Sequence, residues 1–333
     1  MWQALLLGVL IGCAPVLSSA VEPFSGASGV KHHKVSNYRK AVTRYVARRA
    51  PAPGVYEHAS LSSSDDPTHL DLRSNAVLIY DQSTGEQVYT KNVNAVQPIA
   101  SITKLMTAMV VLESGQDLTE PMTIDASDID TLKNTHSRLS VGAVVRRTDL
   151  LRLALMASEN RAAAALARAY PGGTAAFVAQ MNQHAATLGL TQTVFADATG
   201  LSSHNVSSPT DLAKMVQAAY QHPLIRQYTT TPGLMLTLPD SGRNLTFNNT
   251  NMLVKNAAWH IGLSKTGFIN ESGQCLVMQA SIGTRPFVIV LLDAWGRYSR
   301  IADAQRVKKW LEGRFANAAP LATAETIDVV VRE

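Results

Sequence analysis

A serine hydroxyl is a poor nucleophile near neutral pH, so a chain that uses one must bring a base within hydrogen-bond reach. Ser101-Ile102-Thr103-Lys104 does this on a single helical turn, with the lysine at i+3 on a neighbouring face. Lysine becomes a base only when its pKa falls, which burial or a nearby cation achieves. Lys265, in Lys265-Thr266-Gly267, is the natural second cation, and Ser158-Glu159-Asn160 adds another hydroxyl and an amide. Together the strings outline a serine hydrolase.

Singly, each string is weak. Ser101 and Lys104 alone read more simply as a helix N-cap and a solvated lysine. The chain also holds a second S-x-x-K at Ser28 and Lys31, and a second S-x-N at Ser203-His204-Asn205. Local context removes both: the first falls in a segment with no packed helix, the second in a turn cluster after Thr199-Gly200-Leu201, where it reads as loop and capping chemistry.

The elements around the strings are legible from period and punctuation. Residues 76–80 and 87–90 read as a β-hairpin. A helix starting near Ser101 buries Ile102, Leu105, Met106 and Met109 on one face. The middle, about 119–228, is dominated by helical signals at 148–156, 159–169 and 174–188, with Ser208 as N-cap and Pro209 at N1 opening another helix. Ser158-Glu159-Asn160 therefore lies at a helix junction, with Glu159 expected to point to solvent. Strands are expected at 234–238, 244–247, 261–266, 274–282 and 287–292, and a last amphipathic helix at 301–315. The fold class is α+β: an antiparallel β-sheet flanked by helices, with an inserted helical subdomain.

The chain has 333 residues, of which 46% are apolar, enough for a sizeable core without disulfide staples. Residues 1–20 read as a cleaved signal peptide: a short apolar run, then small residues ending at Ala20. Leu10-Ile11-Gly12-Cys13 also resembles a lipobox with Cys13 as lipidation site, a less favoured alternative because basic residues are missing before it. The net charge of +5 is concentrated in a linker, about residues 21–70, where Lys31, Lys34, Arg39, Lys40, Arg44, Arg48 and Arg49 occur without an acid among them. That argues against nucleic acid as partner; a solvated linker is the simpler reading, and loose attraction to an anionic envelope surface the functional one. Cys275, in an apolar run, reads as a small core residue. Neither H-E-x-x-H nor a cysteine cluster occurs, so no metal or other cofactor is expected.

S-x-x-K, S-x-N and K-T-G in this order resemble the signature of penicillin-binding proteins and serine β-lactamases, and residues 98–109 resemble the nucleophile helix of low-molecular-mass penicillin-binding proteins. The resemblance implies that fold over about 75–315, and roles for the residues. Ser101 would attack, Lys104 accept its proton, and Ser158 pass a proton to the leaving amine. Asn160 would hold Lys104 and the substrate amide, Lys265 and Thr266 the substrate carboxylate, with Gly267 letting the backbone approach. The N–H groups of Ser101 and Phe268 would form the oxyanion hole. Arg300 stands where related carboxypeptidases carry a substrate-facing arginine, and a surface arginine at a helix start is the alternative. Some relatives have a further arginine in an N-x-N string where this chain has Asn249-Thr250-Asn251.

A class A β-lactamase needs a glutamate for deacylation, and the corresponding place is Val194. Carboxypeptidases of the family usually carry a second β-rich domain, for which the tail 316–333 is too short. Residues 99–109 and 263–270 resemble the D-alanyl-D-alanine endopeptidase branch. The expectation is thus a periplasmic serine DD-endopeptidase cutting D-alanyl to diaminopimelyl cross-links of peptidoglycan, inhibited covalently by β-lactams. A carboxypeptidase acting on pentapeptide stems and a non-catalytic cell-wall-binding module remain alternatives.

Overall fold

The computed structural model describes residues 70–315. The expected signal peptide, Cys13, the expected basic linker up to residue 69 and the 316–333 tail lie outside the described residues.

The chain enters through β1 (Ser74–Asp81) and β2 (Gln87–Lys91), the expected hairpin. A short β3 (Gln97–Pro98) leads into a 3-10 turn, Ala100–Thr103, and then helix α1 (Lys104–Glu113). The helix therefore starts after the serine rather than at it, because Ala100 is held at φ +47°, outside the right-handed region. Two short strands, β4 (Pro121–Thr123) and β5 (Val144–Arg146), pair ahead of the helical part. Three residues each are too few for period to reveal. The helical part comprises α2 (Arg147–Met156), α3 (Asn160–Arg168) and α4 (Gly173–Thr187). β6 (Val206–Ser207) returns to pair with β3, and α5 (Pro209–Tyr220) follows. Its N-cap is Ser208, whose side chain accepts from Asp211 N. The unanticipated α6 (Pro223–Thr229) precedes a hairpin of β7 (Gly233–Thr237) and β8 (Asn244–Asn248).

The last three strands, β9 (His260–Ile269), β10 (Gly273–Ile282) and β11 (Arg285–Ala294), run antiparallel to their neighbours, and α7 (Ser299–Phe315) closes the fold. They complete a five-stranded sheet in the order β2-β1-β11-β10-β9. The first and last described strands meet at its centre, with Val77 opposite Leu291. Both faces of this sheet are covered. Ala76 and Leu78 pack with the helical part, while Val77 and Ile79 pack beneath α7. Side chains alternate along a strand, so burial on both sides explains the uninterrupted apolar runs. Each fully buried leucine or isoleucine contributes about 2 kcal/mol. Asp303 of α7 anchors that helix by accepting from Ser74 N and Ser74 Oγ, both at 2.7 Å.

Among the described residues β9, which carries Lys265-Thr266-Gly267, is the sheet's edge, with β10 on one side and no further strand on the other. The turn bearing Ser101 packs against it so closely that a Cβ on Gly267 would lie 2.8 Å from Ile99 O and 3.3 Å from Ser101 N. Glycine is required there by contact, not by φ.

Candidate active site

Ser101, Lys104, Ser158, Asn160 and Lys265 converge although they come from three separate parts of the chain. Lys104, at the first position of α1, is completely buried. Its Nζ donates to Ser101 Oγ at 2.9 Å, Asn160 Oδ1 at 2.7 Å and Thr199 O at 2.5 Å. Burial lowers its pKa from 10.5 to about 7, against the opposing pull of Asp197, Glu159 and Asp130. An amine of that pKa, hydrogen-bonded to a serine hydroxyl, can take the hydroxyl proton near neutral pH.

Lys265 is buried as well, and its Nζ donates to Ser158 Oγ at 2.9 Å and to Thr266 O at 3.0 Å. Its pKa is lowered well below the ordinary lysine value, by burial first and then by the charges of Lys104 and Arg300. This reverses the expectation for the two lysines. Lys265 was to be the cation that depresses Lys104, but burial does that, and Lys265 is itself the group that feels a neighbouring cation.

Ser158 sits at φ +58°, a left-handed turn between α2 and α3. That turn sends the next side chain inward. Glu159, expected in solvent, is buried; burial raises the pKa of its carboxyl, and Oε1 has no hydrogen-bond partner. Asn160 opens α3 and spans two groups, with Oδ1 on Lys104 and Nδ2 donating to Thr135 Oγ1 at 2.9 Å. Thr266 Oγ1 donates to Thr250 Oγ1 at 2.6 Å, which brings the Asn249-Thr250-Asn251 string beside the K-T-G strand. The Phe268 side chain is exposed.

Arg300 does not lie on the surface of α7. Its Nη1 donates to Gly267 O at 2.7 Å and Cys275 O at 3.3 Å, bracing β9 and β10 together. Burial lowers its pKa. Cys275 is buried opposite Gly267, and burial pushes its thiol up to about 11, as an inert core residue requires. Val194, in the place of a β-lactamase glutamate, forms a bridge with Val206. Among the described residues, no cluster of three His, Cys, Asp or Glu side chains could hold a metal ion.

Sequence reasoning missed the loop that completes the site. Thr199 O accepts from Lys104 and, at 3.5 Å, from Ser101 Oγ. Asp197 shapes that loop by accepting the N–H groups of Thr199 and Gly200, both at 2.6 Å, and of Ser202 at 2.7 Å. Gly200 adopts φ +82° and lies against the Ala100 backbone, where a Cβ would come 2.0 Å from Ala100 O. The Asp-x-Thr-Gly string was a visible turn signal, but a carbonyl ligand leaves no side-chain trace. The decoy Asn205 braces the same loop: its Oδ1 accepts from Ala196 N at 2.6 Å and its Nδ2 donates to Thr103 Oγ1 at 3.1 Å.

Comparison with known proteins places this geometry in a family. The peptidase S11 family model, described as D-alanyl-D-alanine carboxypeptidase, matches residues 62–296. A D-alanyl-D-alanine endopeptidase of Pseudomonas aeruginosa is 47% identical over 256 residues, covering 77% of this chain and 83% of that protein. The Escherichia coli K12 protein of the same name is 44% identical over 254 residues, covering 76% and 82%. The crystal structure of the Streptomyces K15 DD-transpeptidase superposes with a TM-score of 0.67 at 28% identity, covering 72% of this chain and 97% of that one. The match runs from the β1–β2 hairpin through the K-T-G strand and carries every string of the site, so the chain belongs to the peptidase S11 family of serine D-alanyl-D-alanine peptidases.

Proposed function

We propose that this protein is a D-alanyl-D-alanine endopeptidase that opens D-alanyl to diaminopimelyl cross-links in peptidoglycan through an acyl-enzyme on Ser101. The observation that carries the reading is the Lys104 amine, buried, depressed to about pH 7 and 2.9 Å from Ser101 Oγ. Relatives named as endopeptidases, at 44% and 47% identity, favour cross-links over terminal D-alanine.

Lys104 takes the Ser101 proton as Oγ bonds to the D-alanyl carbonyl carbon. The resulting oxyanion is received by the N–H groups of Ser101 and Phe268. Collapse breaks the C–N bond, and Ser158 passes its hydroxyl proton to the departing amine and is reprotonated by the proton that Lys104 took from Ser101, which returns Lys104 to the neutral amine. Water then attacks the ester carbonyl as Lys104 takes its proton, and the acyl–oxygen bond breaks as that proton returns to Ser101 Oγ. Asn160 fixes Lys104, while Lys265 and Thr266 take the carboxylate beside the scissile bond. Gly267 lets the stem peptide lie along the free edge of β9. Arg300 braces that edge from behind and adds positive charge there.

A cell-wall substrate puts the enzyme outside the cytoplasm, consistent with an N-terminal signal peptide and a periplasmic location. β-Lactams acylate the same serine. The discriminating experiment is digestion of purified muropeptides. Cleavage of cross-linked dimers with little D-alanine released from pentapeptide monomers supports the reading, the reverse makes the protein a carboxypeptidase, and no turnover of either leaves a binding module. Fluorescent penicillin that labelled Ser101→Ala as fast as wild type would remove Ser101 from the mechanism.

A further inference from the structure

Asn160 meets Lys104 through its oxygen, at 2.7 Å. A side-chain amide can present either end, and only the oxygen accepts from an ammonium. The choice is made on the far side of the residue, where Asn160 Nδ2 donates to Thr135 Oγ1 at 2.9 Å. A hydroxyl could donate instead, but this one has committed its hydrogen: Thr135 Oγ1 donates to Asp130 Oδ2 at 2.7 Å. An ionised carboxylate accepts only, so the direction of every bond is set from Asp130 outward. Asp130 hands hydroxyl lone pairs to Asn160, and Asn160 hands its oxygen to Lys104.

The loop is built to hold Asp130 in this state. Asp130 Oδ1 accepts from Leu132 N at 2.8 Å and Lys133 N at 3.0 Å, and Oδ2 from Thr135 N at 2.9 Å. Burial pushes its pKa up, but these bonds outweigh that and leave it below the ordinary carboxylate range. Lys133 ties the loop across to the β9–β10 turn through Glu271 at 2.5 Å.

We propose that Thr135 and Asp130 are positioning residues for acyl transfer, which hold the Asn160 amide with its oxygen turned to Lys104. This rests on the reading of Lys104 as the base for Ser101. Without the Thr135 hydroxyl the amide is free to turn its NH2 end to Lys104, which disfavours the ammonium and loosens the amine's hold. The other charged groups around Lys104 are unchanged by this: Asp197 on the Thr199 loop, Glu159 between α2 and α3, and Lys265 on β9.

The test compares Thr135→Val, which keeps the volume without the hydroxyl, Thr135→Ser, which keeps the hydroxyl, and Asp130→Asn, which can donate where aspartate cannot. Acylation by fluorescent penicillin is followed from about pH 5 to about pH 9, with thermal melting in parallel. Thr135→Val is expected to lower the plateau rate about tenfold, the size of one good hydrogen bond, and to move the acid limb to lower pH. Asp130→Asn moves the limb the same way even by loss of its charge, since Asp130 is one of the anions that favour the Lys104 ammonium. The distinction is therefore carried by the Thr135 pair, in which Thr135→Ser leaves rate and limb as in wild type. The proposal is overturned if Thr135→Val keeps the wild-type plateau and limb, or if Thr135→Ser falls as far as Thr135→Val. It is also overturned if rates drop only in step with melting while the limb stays in place. Ser101→Ala separates the two levels: continued labelling sinks the mechanism itself, whereas lost labelling with an unmoved Thr135→Val limb sinks only the positioning role.

Discussion

The depressed lysine makes a quantitative demand on the pH dependence of acylation. Burial brings Lys104 from 10.5 to about 7. At pH 7 about half the molecules then carry a neutral amine, against roughly three in ten thousand for an ordinary lysine. Burial thus makes the base about a thousandfold more available. Because the rate follows the neutral fraction, its logarithm should climb with unit slope below about pH 7 and level off above. Glu159→Gln removes one of the anions that favour the ammonium, so its acid limb should lie below that of wild type. Second-order labelling rates with fluorescent penicillin, taken at constant ionic strength, read both. A rate still climbing past about pH 9, or one flat from about pH 5.5 to pH 8.5, would falsify Lys104 as a base activated by burial. Stability must obey the same shift. Between about pH 7 and 10.5 the unfolded chain holds a Lys104 proton that the folded one lacks, so the Lys104 contribution to stability rises with pH across that window and is lowest below it.

Gly267→Ala forces a Cβ to within 2.8 Å of Ile99 O and 3.3 Å of Ser101 N, and should cut acylation about a hundredfold by displacing the serine turn; unchanged labelling would show that the turn yields freely. Asp197→Ala strips the acceptor from the N–H groups of Thr199, Gly200 and Ser202 and should cost about 2 kcal/mol in denaturant unfolding. Glu159 titrates the opposite way to Lys104 in stability. With its pKa raised by burial, the folded chain keeps a proton that the unfolded one loses above 4.5, so stability falls as pH rises through that window. Glu159→Gln should accordingly gain more melting temperature over wild type at pH 8 than at pH 5.

The sequence showed the sheet clearly because β1, β10 and β11 are covered on both faces and so read as unbroken apolar runs. It hid β4 and β5, which are too short to have a period, and it set the helix start at Ser101 because nothing local signals the φ of Ala100. The candidate site was legible wherever it is built from side chains in recognisable strings. What escaped is supplied by main chain or by tertiary placement: the Thr199 carbonyl, the hydroxyl of Thr135, and the inward turn of Glu159 that follows from the backbone of Ser158. The lysine expectation failed for a related reason. Spacing suggests that two cations meet but says nothing of how completely each is buried. Arg300 drew notice by its distance from Gly267, yet its contacts with two backbone carbonyls became visible only once β9 and β10 were paired.

An unpaired β edge is also a hazard, since any extended segment can add to it, including one from a second copy or an unfolding neighbour. Other proteins blunt such an edge with a covering helix, a proline or a bulge. This enzyme cannot do so along Lys265-Thr266-Gly267 without shutting out the peptide that it cuts. Its resistance to self-association should therefore depend on occupancy. Filling the edge with a covalently bound β-lactam or a non-cleavable stem peptide ought to raise the concentration at which the protein starts to aggregate, and light scattering on the free and acylated forms would measure the difference.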